Sequence, residues 1–200
     1  MSQDFSRRDF LKVSSTVGVG LVISVALPYK ERLVAAGIVE NSFEPNVWIK
    51  ISPDNKVVIT LAKSEMGQHI RTSIPMIVAE ELNADWSQVN VVQADTHPDK
   101  YGSQSTGGSG SIRRSYMRLR KAGATAREML VSAAALKWEV PASECKAYMS
   151  EVIHSKSKRS LKFGELISLA GKLDTPIDPI LKDEKDFTLI GKSLPGLDTV

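Results

Sequence analysis

Two segments hold residue types that could do chemistry. They are residues 64–69 (SEMGQH) and residues 102–111 (GSQSTGGSGS). Each comes shortly before a stretch with helical periodicity, so its backbone N–H groups and the positive end of the helix dipole would favour an anionic group. From Ser105 to Ser111 every residue is Gly, Ser or Thr, which lets backbone come close to a ligand. Arg113 and Arg114 follow at once, with Arg118, Arg120, Lys121 and Arg127 further on. That combination suits a pyrophosphate. The same residues also read as a flexible surface loop ahead of a solvated basic helix, because neither a Walker A loop nor a dinucleotide fingerprint between strand and helix is present.

Other chemistry has less support. His69, His97 and His154 are scattered, with no acidic partner at ligand spacing, so surface or core positions are expected rather than metal ligands. Ser64, Ser103 and Ser105 lack the nucleophile-elbow setting of a hydrolase. Glu80-Glu81 is expected to be solvated, with only one of the two on the face of Ile77. Met66, Met76 and Met117 read as packing, and Trp48, Trp86 and Trp138 as anchors at core edges. The lone Cys145 excludes an internal disulfide, a CxxC pair, a cysteine-ligated iron–sulfur cluster and a structural zinc site.

The elements that must position the two loops follow from the pattern. Trp48 to Ile51 and Lys56 to Leu61 alternate as strands about the turn Ser52-Pro53-Asp54-Asn55. Residues 72–82 form a helix with Ile74, Ile77, Val78 and Leu82 on one face and Pro75 in its first turn. Residues 89–93 make a strand, and 96–111 a loop. A long helix over 112–138 carries the stripe Ile112, Tyr116, Leu119, Gly123, Ala126, Leu130 and Ala133, whose small members would admit another backbone. Short strands at 145–149 and 151–154 and a helix at 163–172 come next. This order implies an α+β fold, a mixed sheet with helices packed on one face.

Composition agrees with a globular chain: 200 residues, 42% hydrophobic and 24% charged. Those figures rule out disorder, collagen and a polytopic membrane protein. Five Lys/Arg against three Asp/Glu lie in residues 1–36, which leaves the body near neutral and gives no case for nucleic acid. Ser6-Arg7-Arg8-Asp9-Phe10-Leu11-Lys12, followed by the uncharged stretch 13–27, reads as a twin-arginine export leader over residues 1–36. Ala35-Ala36 is a weak cleavage candidate. Export by the twin-arginine translocation machinery, which carries folded and often cofactor-loaded proteins, would place the chain in the periplasm or on the periplasm-facing side of the membrane. Residues 37–173 form the domain, and 174–200 a connector toward a further domain.

At the two loops the sequence resembles a known family. Residues 45–68 (PNVWIKISPDNKVVITLAKSEMGQ), 75–94 (PMIVAEELNADWSQVNVVQA), 101–130 (YGSQSTGGSGSIRRSYMRLRKAGATAREML) and 187–198 (FTLIGKSLPGLD) are similar, in order, to the molybdopterin-binding large subunit of the xanthine dehydrogenase/aldehyde oxidase family. The isoquinoline 1-oxidoreductase β-subunit type is the nearest branch. The resemblance implies a molybdopterin cytosine dinucleotide cofactor with molybdenum, a small [2Fe-2S] partner subunit and an external electron acceptor such as a cytochrome. The reaction implied is hydroxylation of an N-heteroaromatic, or oxidation of an aldehyde, with oxygen drawn from water. It also implies cofactor contacts at Gly67 and Gln68, and at Gln104, Ser105, Thr106, Gly107, Gly108 and Ser109, with Gln68 touching the pterin or its phosphates.

Two positions depart from the family pattern. His69 stands where Gly is usual after MGQ, and Gly110 where Arg is usual in GGSRS. Family subunits are several times longer, so the chain is expected to be an N-terminal part, with no residue assignable to catalysis or to the metal. By itself it is expected to bind no stoichiometric molybdenum and to self-associate. A non-catalytic periplasmic binding or scaffold domain, or a truncated relic, is the other reading.

Overall fold

The computed structural model describes residues 21–24 and 47–197. The expected Arg7-Arg8 motif and the Ala35-Ala36 site lie outside the described residues. The described chain runs β1 (Leu21–Ser24), β2 (Val47–Ile51), β3 (Val57–Leu61), α1 (Ile70–Leu82) and β4 (Val89–Gln93). One turn of helix, α2 (Pro98–Tyr101), precedes the long α3 (Tyr116–Trp138). Then come β5 (Cys145–Tyr148), β6 (Glu151–His154), β7 (Arg159–Lys162) and α4 (Phe163–Ala170).

The first sheet has the order β1-β2-β3-β4. β1–β2 and β2–β3 are antiparallel, whereas β3 and β4 are parallel, with Val57 opposite Val89 and Leu61 opposite Gln93. The mixed α+β architecture is therefore present. β1 falls within the segment expected as leader and pairs along the outer edge of β2. The second sheet, β5-β6-β7, is wholly antiparallel. Its strand β7 escapes the sequence reading because RSLK has no buried side chain to mark a period.

Alternation buries Val57, Ile59 and Leu61 of β3 and Ile49 and Ile51 of β2 against the helices. α1 contributes Ile74, Ile77, Val78 and Leu82, all buried. Its start at Ile70 puts Pro75 in the second turn, not the first, where the ring interrupts one i→i−4 hydrogen bond. Along α3 the expected stripe holds: Leu119, Ala126, Leu130 and Ala133 are buried. Residues 111–115 are turns rather than helix, since Arg114 N donates to Gly110 O and Ser115 N to Ile112 O. The two helices touch at Gly123, where a Cβ would lie 2.5 Å from the Val78 carbonyl oxygen and 2.8 Å from Glu81 Cβ. Gly164, at the start of α4, meets the β2–β3 turn in the same way, 2.5 Å from Pro53 O.

His154 is a core histidine. Its ring nitrogens bond Ser157 Oγ at 2.7 Å and Glu144 Oε2 at 3.0 Å. Among the described residues no group of three or more His, Cys, Asp or Glu is placed to hold a metal ion.

Glu80 and Glu81 correct the sequence reading. Both are fully buried rather than solvated. Glu81 accepts from Arg120 Nε at 2.6 Å, Arg127 Nη1 at 3.2 Å and the Lys182 N–H at 3.0 Å. Glu80 is ion-paired with Lys182 and accepts from the N–H groups of Thr188, Leu189 and Ile190 at 2.9, 2.6 and 2.9 Å. Trp86 Nε1 donates to Pro195 O, and Leu197 N to Thr72 Oγ1, so the tail is fastened across α1 and α3. Burial raises the Glu80 carboxyl pKa, but Lys182 and the three N–H groups outweigh it and hold the group below the usual carboxylate range. The periodicity missed this because every partner of these carboxylates lies at least thirty-nine positions away.

Candidate cofactor-facing loops

Parallel pairing of β3 and β4 places both candidate loops at one edge. A parallel pair ends its strands on the same side, so the chain leaves β3 into residues 62–69 and β4 into 94–115 as neighbours. Crevices beyond the carboxyl ends of parallel strands are common ligand positions.

Lys63 stitches the two together. Its side chain is buried, and Nζ donates to the carbonyls of Ser103 at 2.6 Å and Ser105 at 3.0 Å. One residue on, Ser64 N donates to Thr106 Oγ1 at 3.0 Å, and Thr106 Oγ1 donates to Ser64 O at 3.3 Å. The sequence reading did not single out Lys63. A lysine directly after the apolar run of a core strand is a visible signal, but its two acceptors are forty positions distant.

The first loop supplies its own anion. Glu65 Oε1 accepts from Gly67 N at 2.7 Å and His69 N at 3.1 Å, and Oε2 accepts from Arg71 N at 3.1 Å. The carboxylate therefore sits at the N-terminus of α1, where the dipole favours it. The Arg71 N–H, with those of Gly67 and His69, holds its pKa below the usual range. Because the folded value is the lower one, the stabilisation is present above the ordinary pKa of 4.5 and fades as pH falls through the folded value. Amide exchange at residues 67–71 should accelerate below that range, and Glu65→Gln should show the faster exchange already at neutral pH. Equal exchange in the two proteins at neutral pH would refute the assignment.

The named residues fall into two groups. Gln68 closes its own loop, with Oε1 accepting from Met66 N at 2.6 Å and Nε2 donating to Ser64 O at 2.8 Å. Gln104 does the same in the second loop, between His97 N at 2.7 Å and Asp95 O at 2.9 Å. Ser105 and Thr106 lie against Lys63 and Ser64. Gly67, Gly107 and Gly108 face open space: a Cβ on any of them would meet no heavy atom within 4 Å. Gly67, Gly108 and Ser109 have positive φ, as does His69 at 60°. The imidazole at position 69 thus takes the left-handed backbone that glycine adopts at no cost.

Three cations collect beneath the second loop. Arg118 stacks on Trp48, its Cζ 4.8 Å from the ring centroid. Its Nε is buried with no hydrogen-bond partner among the described residues. Arg114 folds back over Gly110, where a Cβ would meet Arg114 Nε at 3.0 Å. Burial lowers the Lys63 pKa, and the charges of Arg118 and Arg114 lower it further. Neither arginine has a carboxylate partner among the described residues, in contrast to Arg120 and Arg127. Ser115 makes no side-chain cap at the start of α3, and no acid occupies its first turn. Unpaired positive charge therefore stands at the positive end of a helix.

Residues 6–189 match the family model of the molybdopterin cofactor-binding domain. The chain belongs to that family. Within this molybdopterin-binding family it is 36% identical over 173 residues to the β-subunit of isoquinoline 1-oxidoreductase of Brevundimonas diminuta, covering 82% of this chain and 22% of the relative. A membrane-bound aldehyde dehydrogenase (pyrroloquinoline-quinone) of Gluconacetobacter polyoxogenes is 33% identical, with 82% of this chain and 21% of the relative covered. A nicotinate dehydrogenase subunit of Pseudomonas putida is 34% identical over 203 residues, at 98% and 16% coverage. The chain thus spans about a fifth of the length of these curated relatives. Among solved structures, the reconstituted CO dehydrogenase of Oligotropha carboxidovorans overlaps 59% of this chain and 15% of that one, at 23% identity and TM-score 0.49.

Proposed function

We propose that this domain forms part of the cofactor wall of a molybdenum hydroxylase subunit, with a molybdopterin cytosine dinucleotide held against the two loops. The observation that carries the reading is the pairing of open glycines with unpartnered cations at one sheet edge. A phosphate-bearing cofactor fits both. Gly67, Gly107 and Gly108 leave room for close approach, and the orphaned Arg118 Nε is a donor in search of an acceptor. Ser105, Thr106 and Ser109 would add hydroxyl and N–H donors. When bound, the cofactor would supply the redox chemistry that oxidises an N-heteroaromatic or an aldehyde, with water as oxygen source. The chain's own part is to bind and orient: Lys63 fixes the spacing of the loops, while Gln68 and Gln104 hold their shapes.

The same proposal includes a small [2Fe-2S] subunit, an external acceptor such as a cytochrome, and export to the periplasm by the twin-arginine route. Protein purified with its native partners should release about one equivalent of cytidine monophosphate and a fluorescent oxidised pterin per chain. Release of neither would refute the cofactor assignment. Replacing Arg7 and Arg8 together by lysine should leave the protein in the cytoplasm, as fractionation would report; unchanged export would rule out the twin-arginine route. One observation favours a non-catalytic scaffold instead, namely that the Gln68 and Gln104 amides are already satisfied within their loops. Absence of pterin from the native complex would support that reading.

A further inference from the structure

The second sheet gathers a serine, a histidine and a glutamate at one end. Its register sets Cys145 of β5, His154 of β6 and Arg159 of β7 side by side. Glu144 comes directly before β5, and Ser157 lies in the turn of residues 155–158 that joins β6 to β7. Ser157 Oγ is 2.7 Å from His154 Nδ1, and His154 Nε2 is 3.0 Å from Glu144 Oε2. Lys156 Nζ donates to the other glutamate oxygen at 2.5 Å. The Lys156 bond, followed by that of His154, holds the Glu144 carboxyl below the usual carboxylate range.

These bonds fix the tautomer. An ionised carboxylate only accepts, so the Nε2 proton faces Glu144, and Nδ1 is left to accept from the Ser157 hydroxyl. That is the form of imidazole that can take a proton from serine. The His154 side chain is 5% exposed and stands against Trp138, with ring centroids 6.2 Å apart. Ser157 is exposed. A buried base behind an accessible hydroxyl, itself oriented by a third group, is the arrangement that nucleophilic catalysis requires. Arg159 adds a cation. Its Nε donates to Ser157 Oγ at 2.6 Å, and its guanidinium lies over Trp138 with Cζ 5.4 Å from the ring centroid. Held there, it offers N–H donors to the oxyanion that forms when Oγ attacks a carbonyl.

We propose that Ser157 is a nucleophile toward small carboxylic esters, with His154 as its base, Glu144 positioning the imidazole and Arg159 receiving the oxyanion. Ser157 Oγ bonds to the ester carbonyl carbon while its proton passes to His154 Nδ1. The bond to the leaving alcohol then breaks, and that alcohol takes the proton from His154. Water attacks the acyl-serine with His154 again as base, releasing the carboxylic acid and restoring the hydroxyl. Because Ser157 stands on an exposed turn, the fitting substrates are short-chain esters rather than extended ones.

Diisopropyl fluorophosphate, from which a serine nucleophile displaces fluoride, tests this on the 200-residue chain. Peptide mass mapping should find about one phosphoryl group per chain, at Ser157, with the equally exposed Ser155 and Ser160 left free. Ser157→Ala should take up none. His154→Gln should slow labelling by at least about a hundredfold, the low end of what a positioned base contributes. Glu144→Gln should slow it by more than about tenfold, since an amide can hold the imidazole in the wrong tautomer. Arg159→Gln should slow it roughly a hundredfold, as for loss of one oxyanion donor. Turnover of p-nitrophenyl acetate should fall in the same variants. Parent protein that stays unlabelled, or is labelled equally at the three serines, overturns the proposal. So does parental labelling in His154→Gln that still unfolds cooperatively. If His154→Gln does not fold, Glu144→Gln and Arg159→Gln decide, and parental rates in both overturn it.

Discussion

Glu81→Ala is expected to lower stability by about 3–5 kcal/mol, the range for removing one partner of a buried ion pair. Its carboxylate is fully buried between Arg120 and Arg127 and also accepts the Lys182 N–H. Alanine would leave two largely buried guanidinium groups facing one another and one backbone donor unpaired. Urea unfolding would show the midpoint drop, and Glu81→Gln, which keeps an acceptor without the charge, should fall between. An unfolding free energy within about 0.5 kcal/mol of the parent, the tolerance of ordinary surface substitutions, would mean the cluster is not formed. The neighbouring Glu80 adds an acid limit. Its folded pKa lies below its unfolded one, so its stabilisation is complete above the ordinary 4.5 and disappears as pH falls through the folded value. The tail should then detach from α1 before the sheet melts, which increased protease cutting within 174–197 would reveal.

Gly123→Ala tests the seam between α1 and α3. Two opposing terms apply. Alanine in a helix interior gains roughly 1 kcal/mol over glycine. Against that, its methyl would press on a backbone carbonyl at 2.5 Å and on Glu81 Cβ at 2.8 Å, and overpacking of this kind costs about 1–3 kcal/mol. Because the obstacle is backbone rather than the end of a flexible chain, the clash should prevail. A net loss of up to about 2 kcal/mol is expected by thermal or urea unfolding. A more stable Gly123→Ala protein would show that the helices are farther apart than described. The substitution also sits under Glu81, so its effect should be non-additive with Glu81→Ala.

Much of the framework was legible because burial repeats with the period of its element. The alternation in VVITL, the face Ile74, Ile77, Val78 and Leu82, and the small-residue stripe of α3 each report one local geometry. The candidate loops were legible too, since Gly, Ser and Thr mark a place where backbone can approach. What stayed hidden was interaction at long sequence distance. Glu80 and Glu81 look like any solvated acidic pair until Lys182 and the N–H groups of 188–190 close over them. Lys63 looks like one more polar loop residue until two carbonyls forty positions on are seen to need it. Arg114 over Gly110 belongs to the same class, although both residues were already in view, because only the turn geometry of 110–114 brings one over the other.

The clasp on Glu80 and Glu81 also bears on when this domain can form. Synthesis proceeds from the N-terminus, and α1 emerges long before the residues that neutralise it. Until 182 and 188–190 have left the ribosome, burying α1 against α3 would strand two carboxylates without their full set of donors. The helix pair therefore has reason to remain loosely packed until residues 182–190 are available, and to consolidate only then.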